Sequence, residues 1–215
     1  MARYERNIDK TYEYNKYYEK NSFVGEAATV VSIPKFEDVK DKLPSPIFDG
    51  HEDYIAAYYK AWEIAFGNLK NPKEGSGFVS PFIDSAFNGC IFMWDSAFMT
   101  MFGKYAERVF SFQKTLDNFY SSQHKDGFIC RMIDEQSGLD GFTRYDPSST
   151  GPNILSLSEW KYFESFGDRE RLSRVYYPLR AFHIWYRKNR TWPDGSYFSS
   201  GWGCGMDNTP RLPKG

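Results

Sequence analysis

The run Trp202-Gly-Cys-Gly-Met-Asp-Asn-Thr-Pro-Arg211 places one carboxylate, Asp207, behind two glycines and ahead of a proline, in aromatic surroundings. Desolvation by Trp202, Met206 and Phe198 would raise the pKa of such a carboxyl group. It would then hold a proton near neutral pH and could deliver it to a leaving group. A helix starting there pulls the other way, because the positive end of its dipole favours the anion. Asp207 also reads as the N-cap of that helix.

A second carboxylate, Asp95, follows Trp94 at the head of an apolar stretch. An ionised acceptor there could take hydrogen bonds from two sugar hydroxyls, with Trp94 as a stacking wall. It also reads as a first-turn carboxylate favoured by the helix dipole, and the two roles are compatible. Arg211 could pair with Asp207 or orient a substrate oxygen. Asn208 could bond a hydroxyl or cap a helix. Gln123, Asp126 and Arg131 share one loop and could form a rim, or simply be solvated. Asn153 reads first as a helix cap, His183 as a packing histidine, and Trp192 and Tyr197 as either stacking or core residues.

Composition limits the choices. Aromatic residues make up 19% of the 215, enough for a large helical core or for ring-lined binding surfaces. Net charge is -1, so there is no electrostatic case for nucleic acid or an anionic membrane. No apolar run is long enough to span a bilayer, and the charged, tyrosine-rich N-terminus lacks the apolar core of an export signal. Cys90, Cys130 and Cys204 are scattered, which fits a reducing, cytoplasmic setting. No cluster has metal-ligand spacing, and neither a phosphate-cradling glycine loop nor a nucleophile elbow is present, so no metal or cofactor is expected.

The elements that must position these residues follow from periodicity. Residues 1–47 read as an arm or flanking element, with short β-like character at 23–33, ahead of a main unit over 48–215. Helices are expected over 51–69 (Asp49 as N-cap; Tyr54, Ala57, Tyr58, Ala61, Ile64 and Ala65 as its apolar positions), 94–105, 107–122, 154–166 and 169–190. Pro178 should end or kink the last of these. Long loops at 70–92, 124–153 and 191–206 alternate with short turns, so the long connections gather on one face, where function tends to collect. The stretch from Ile91 to Phe102 is apolar on nearly all sides and is expected to be buried all round. The helices at 51–69, 107–122 and 169–190 carry charged stripes and read as outer. The expected class is all-α: about two and a half hairpins of a double-layered helical barrel, with an open apolar edge.

Four pieces carry a resemblance: Trp94-Asp95-Ser96-Ala97-Phe98, Gln123-His124-Lys125-Asp126-Gly127-Phe128, Ser149-Thr150-Gly151-Pro152-Asn153, and the run from Ser200 to Arg211. Their order and spacing resemble the (α/α)6 six-hairpin glycosidases, specifically the clan of glycoside hydrolase family 63, which includes processing α-glucosidases and mannosylglycerate hydrolases. The resemblance implies a partial (α/α)6 toroid and hydrolysis of O-glycosidic bonds, with α-glucosides or α-mannosides as substrates, by an inverting two-carboxylate mechanism. It makes Asp207 the general acid and Trp94, Asp95, Gln123, Asp126, Trp202, Asn208 and Arg211 substrate-binding residues. The family's base is a glutamate in the second half of the barrel, so this chain is expected to be the N-terminal part and to need that half for activity. The alternatives are a non-catalytic carbohydrate-binding or scaffold protein, and another (α/α)6 enzyme, an epimerase or lyase working through His124 or Tyr197.

Overall fold

In a computed structural model the described residues are 14–199 and 203. The chain is mostly helical. The α-helices are α1 (Phe36–Val39), α2 (Glu52–Gly67), α3 (Met93–Gly103), α4 (Asp117–Ser121), α5 (Leu155–Phe166) and α6 (Arg169–Asn189). Two small antiparallel pairs complete the framework. β1 (Leu69–Lys70) pairs with β2 (Phe82–Ile83), and β3 (Cys90–Phe92) pairs with β4 (Met132–Asp134). None of the described helices is long and apolar enough to cross a membrane.

The helices form for recognisable reasons, with some corrections. α5 ends on Gly167 in the left-handed conformation (φ 63°), and Asp168 at once caps α6 by accepting from the Arg171 amide at 2.9 Å. That two-residue connection makes α5 and α6 a hairpin. α6 runs through Pro178 without ending there. Val175, Pro178, Ala181 and Phe182 are all buried, and that burial offsets the roughly 3 kcal/mol a helical proline costs.

α2 starts without a side-chain cap, so Asp49 does not play that part. Its buried residues are Trp62, Ala65 and Phe66, while Tyr54 and Ile64 of the expected apolar stripe are exposed. α3 is not buried all round either: Phe98 and Phe102 are more than 40% exposed. Between α2 and α3 runs an apolar groove of about 670 Å³, lined by Tyr58, Ala61, Ile64, Met99 and Phe102.

The expected outer helix over 107–122 is the largest departure. Its place is taken by a 3-10 helix, Phe112–Leu116, leading into the short α4. Phe112 packs so closely on α3 that a Cβ on Gly103 would lie 2.3 Å from the Phe112 Cβ. Two polar residues of this stretch are buried anchors. Asn118 Oδ1 accepts from the Val79 and Ser80 amides (2.9 and 3.1 Å), and its Nδ2 donates to the Ser80 carbonyl. Thr115 Oγ1 accepts from the Ile83 amide at 3.1 Å. They hold the 70–92 loop in place by its own backbone.

The segment 23–33 forms no strand. It is an extended, largely exposed run, tied by Thr29 N to Val79 O (2.8 Å) and by Asn71 to both backbone groups of Val31. The N-terminal arm nonetheless enters the core. Phe23 is fully buried against Tyr120, and the Asn21 amide donates to the Tyr120 carbonyl and to Gln123 Oε1 (both 2.9 Å).

Candidate functional site

The β3–β4 pair sets the start of α3. Phe92 pairs with Met132, and the next amide, Met93 N, donates to the Arg131 carbonyl at 2.8 Å. The chain then turns into α3, leaving Asp95 exposed in the first turn. Trp94 is half-buried, with its ring edge-on to Phe98 at 4.9 Å.

Arg131 carries the connection onward. Its amide donates to the Ser149 carbonyl at 2.8 Å, its Nε to the Ser148 carbonyl, and its guanidinium lies 4.5 Å from the Phe142 ring centre. Arg190 clamps the same loop, donating to Thr150 Oγ1, Ser149 Oγ and the carbonyls of Arg144 and Asp146. Tyr186 donates its hydroxyl proton to the Gly151 carbonyl at 3.1 Å. At Gly151 a Cβ would stand 3.3 Å from the Gly203 carbonyl oxygen and 3.9 Å from Arg131 Cδ, so a side chain there would press the Gly203 backbone back by a few tenths of an ångström. The head of α3, the approach to α5 and Gly203 therefore converge around Arg131. Asp207, Trp202, Asn208 and Arg211 lie outside the described residues.

Gln123 and Asp126, expected on a rim, are buried. Gln123 donates to the Gly127 and Pro178 carbonyls (3.0 and 2.9 Å) and accepts from Asn21. Asp126 accepts from Arg144, from Trp185 Nε1 at 3.0 Å and from the Phe128 amide. Arg144 also donates to His124 Nδ1 at 2.6 Å, and His124 Nε2 lies 2.6 Å from Asp140 Oδ2. A guanidinium only donates, so Nδ1 must accept and the Nε2 proton must point to Asp140. With both nitrogens engaged and the ring buried, His124 has no free position for acid–base work on a substrate. Asn153 does not cap α5, which begins without a side-chain cap.

Two further charge clusters brace the frame. Arg171 bonds Glu159 through Nε and Nη2 (both 2.8 Å), Asp117 through Nη1 (3.0 Å) and the Gln113 carbonyl. Burial, opposed by Arg171 and reinforced by Glu159, holds the Asp117 carboxyl above its usual range. In the second cluster, Lys70 Nζ bonds Asp84 Oδ2 (2.6 Å) and Glu135 Oε2 (2.8 Å). The other two oxygens, Asp84 Oδ1 and Glu135 Oε1, are buried without a donor among the described residues, although both carboxyls meet the same ammonium group. A proton held by Glu135 and offered to Asp84 would satisfy both.

Burial raises Glu135; the Lys70 hydrogen bond opposes this and that of Asp84 adds to it. Burial pushes Asp84 up too, but hydrogen bonds with Lys70 and Glu135 outweigh it and hold Asp84 low. The stability tied to the Glu135 proton is full below the ordinary glutamate pKa of 4.5 and fades as pH rises through the raised folded value. The Asp84 contribution is present above its unfolded pKa and fades as pH falls through its depressed one. Glu135→Gln, which donates to Asp84 at every pH, should remove the loss on the alkaline side. We expect the variant to match the wild type near pH 4 and to gain about 1 kcal/mol on it by pH 7. Urea unfolding across that range checks this; parallel pH curves for the two proteins would rule out the shared proton.

Among the described residues no group of three or more His, Cys, Asp or Glu side chains is placed to hold a metal ion. Cys90 and Cys130 are both buried, and burial, with Asp140 nearby, pushes the Cys130 thiol up to about 12.

No spacing signal marks Arg131, expected on a rim, or Arg190 as an organiser of this loop, since both act on backbone carbonyls supplied from elsewhere in the chain. A family model described as the mannosylglycerate hydrolase MGH1-like glycoside hydrolase domain matches residues 91–214. No curated protein and no solved structure matches the chain.

Proposed function

Because the chain belongs to the mannosylglycerate hydrolase MGH1-like glycoside hydrolase family, we propose that it hydrolyses the O-glycosidic bond of an α-glucoside or α-mannoside with inversion. The observation that carries this reading is the convergence at Arg131. It brings Gly203, the threshold of the Asp207 run, against Gly151, on the loop that Arg131 also ties to the start of α3 with Trp94 and Asp95.

Asp207 is the general acid. Trp202 and Met206 keep water from it, so it holds a proton until the glycosidic oxygen departs with it. Asp95 accepts from two hydroxyls of the sugar being cleaved, and Trp94 walls its apolar face. Asn208 and Arg211 bind flanking oxygens. Gln123 and Asp126, notwithstanding their substrate-like residue types, act from behind by fixing the loop that carries Arg131. A carboxylate about 6.5–9.5 Å from the acid activates water on the opposite face. That base is a glutamate on further helical hairpins completing an (α/α)6 toroid, and the apolar groove between α2 and α3 is of a kind such a hairpin would cover. The scattered cysteines fit a reducing, cytoplasmic compartment.

The test is the anomer first released. A panel of α-glucosides and α-mannosides, led by mannosylglycerate, is incubated with the protein that includes the base-bearing hairpins and followed by proton NMR. The β-anomer should appear first and then mutarotate. First release of the α-anomer would refute inversion, and no hydrolysis across the panel would refute the hydrolase reading. Asp95→Asn should lower kcat/KM roughly 100-fold, the worth of one or two hydrogen bonds to an ionised group.

A further inference from the structure

A cavity of about 530 Å³ opens between the approach to α5, the later part of α6 and the segment after it. Asn153, Ser156, His183, Tyr186, Tyr197 and Phe198 line it. None of these side chains carries a fixed charge. Burial, with Arg180 and Arg187 nearby, holds His183 below its ordinary pKa, so at neutral pH its imidazole offers one donor and one acceptor. The Asn153 side-chain oxygen is buried and has no partner among the described residues. A buried amide oxygen left so costs free energy until a donor reaches it.

The aromatic wall is held firmly. Thr191 bridges Tyr197 across a turn in which Asp194 Oδ1 accepts from the Ser196 amide and hydroxyl (2.9 and 2.7 Å). Gly195, at φ 88°, permits the turn, and Phe198 N donates to the Arg190 carbonyl at 3.0 Å. Tyr197 is 51% exposed with its ring 5.6 Å from that of Tyr186, whose hydroxyl fixes Gly151. The lining of the cavity thus begins at Pro152, the residue after the glycine that meets Gly203.

Other hollows differ in chemistry. One carries Lys16, Asp126, Arg144 and Lys188, and another Asp41, Lys42, Glu107 and Arg108. The groove between α2 and α3 is almost wholly apolar. A pyranose has polar edges and apolar faces with no charge, and of these four the Asn153 cavity is the one that offers both kinds of surface without an ion to desolvate.

We infer that this cavity is a subsite for a neutral hexopyranose unit, separate from the position bounded by Trp94 and Asp95. Asn153 accepts from a sugar hydroxyl, His183 bonds a second, and Tyr197 stacks on an apolar face. The inference rests on the glycosidase reading for its place in the reaction; binding itself requires no catalysis.

Saturation-transfer NMR on the protein tests it, with methyl α-D-glucopyranoside, methyl α-D-mannopyranoside and methyl α-D-glucuronide as probes. An Asp95→Asn background keeps the first position from contributing. The two neutral glycosides should receive saturation and the glucuronide at least 5-fold less. Asn153→Ala and the solvent-facing Tyr197→Ala should each weaken binding about 5- to 10-fold, His183→Gln less, and the exposed Tyr145→Ala not at all. Unfolding midpoints close to the parent would show that folding is intact. Absence of transfer to any probe, or transfer indifferent to Asn153 and Tyr197, overturns the inference even where α-glycosides are hydrolysed. Transfer that depends on both residues, in a protein that cleaves no α-glycoside, upholds the subsite and overturns the glycosidase reading alone.

Discussion

Asp207→Asn is expected to lower kcat on an α-glucoside or α-mannoside by about 10³-fold, within the range for losing a positioned acid, while KM changes little. Asparagine keeps the size and polarity of the side chain but has no acidic proton for the departing oxygen. The measurement belongs to the form of the protein that carries both carboxylates. An aryl glycoside with an acidic phenol separates the roles, because its leaving group needs little protonation. The loss on that substrate should shrink to about 10-fold, and the basic limb of the pH–rate profile should disappear. An unchanged basic limb, or equal losses on good and poor leaving groups, would remove Asp207 from the acid role.

Arg171→Met is expected to destabilise the fold by about 3–5 kcal/mol, the usual result of stripping one partner from a buried ionic cluster. Asp117 and Glu159 are 4% and 2% exposed, and Arg171 provides the positive charge between them. Without it two carboxylates face each other in a dry space, together with Tyr120, whose hydroxyl donates to Glu159 at 2.9 Å and whose pKa burial already raises well above normal. For a chain of this length the melting temperature should fall by about 10 °C or more. The pH dependence identifies the cause. In the variant the carboxyls take up protons more readily in the folded than in the unfolded state, so its stability should be greatest at low pH and decline towards pH 7. A variant whose deficit is the same at pH 5 and pH 7 would instead point to lost packing around the methionine.

Sequence reading and structure agree where a single local rule governs. Gly167-Asp168 announces a helix stop and a helix start, and both occur. They diverge where a residue serves a segment far along the chain. Asn118 and Thr115 look like the wet face of a helix, yet they hold loop backbone more than thirty residues earlier. The same distance hid Arg131 and Arg190 as organisers, since their acceptors are carbonyls and leave no trace in side-chain pattern. Gln123 and Asp126 have residue types that suit a sugar, but the structure turns both inward. In α2 the apolar residues occupy two faces, and periodicity alone does not choose between Ile64 and Trp62; packing buries the latter.

The burial of Phe23 also bears on how the polypeptide is made. Its neighbour Tyr120 and the Arg174 guanidinium, 3.8 Å from its ring centre, leave the ribosome about 100 and 150 residues after it. Asn15 likewise waits for the carbonyls of Asp126 and Ala181. The stretch carrying Asn15 and Phe23 is therefore docked only after the residues it packs against have been made. During translation this segment, phenylalanine included, stays available to chaperones until α6 has emerged.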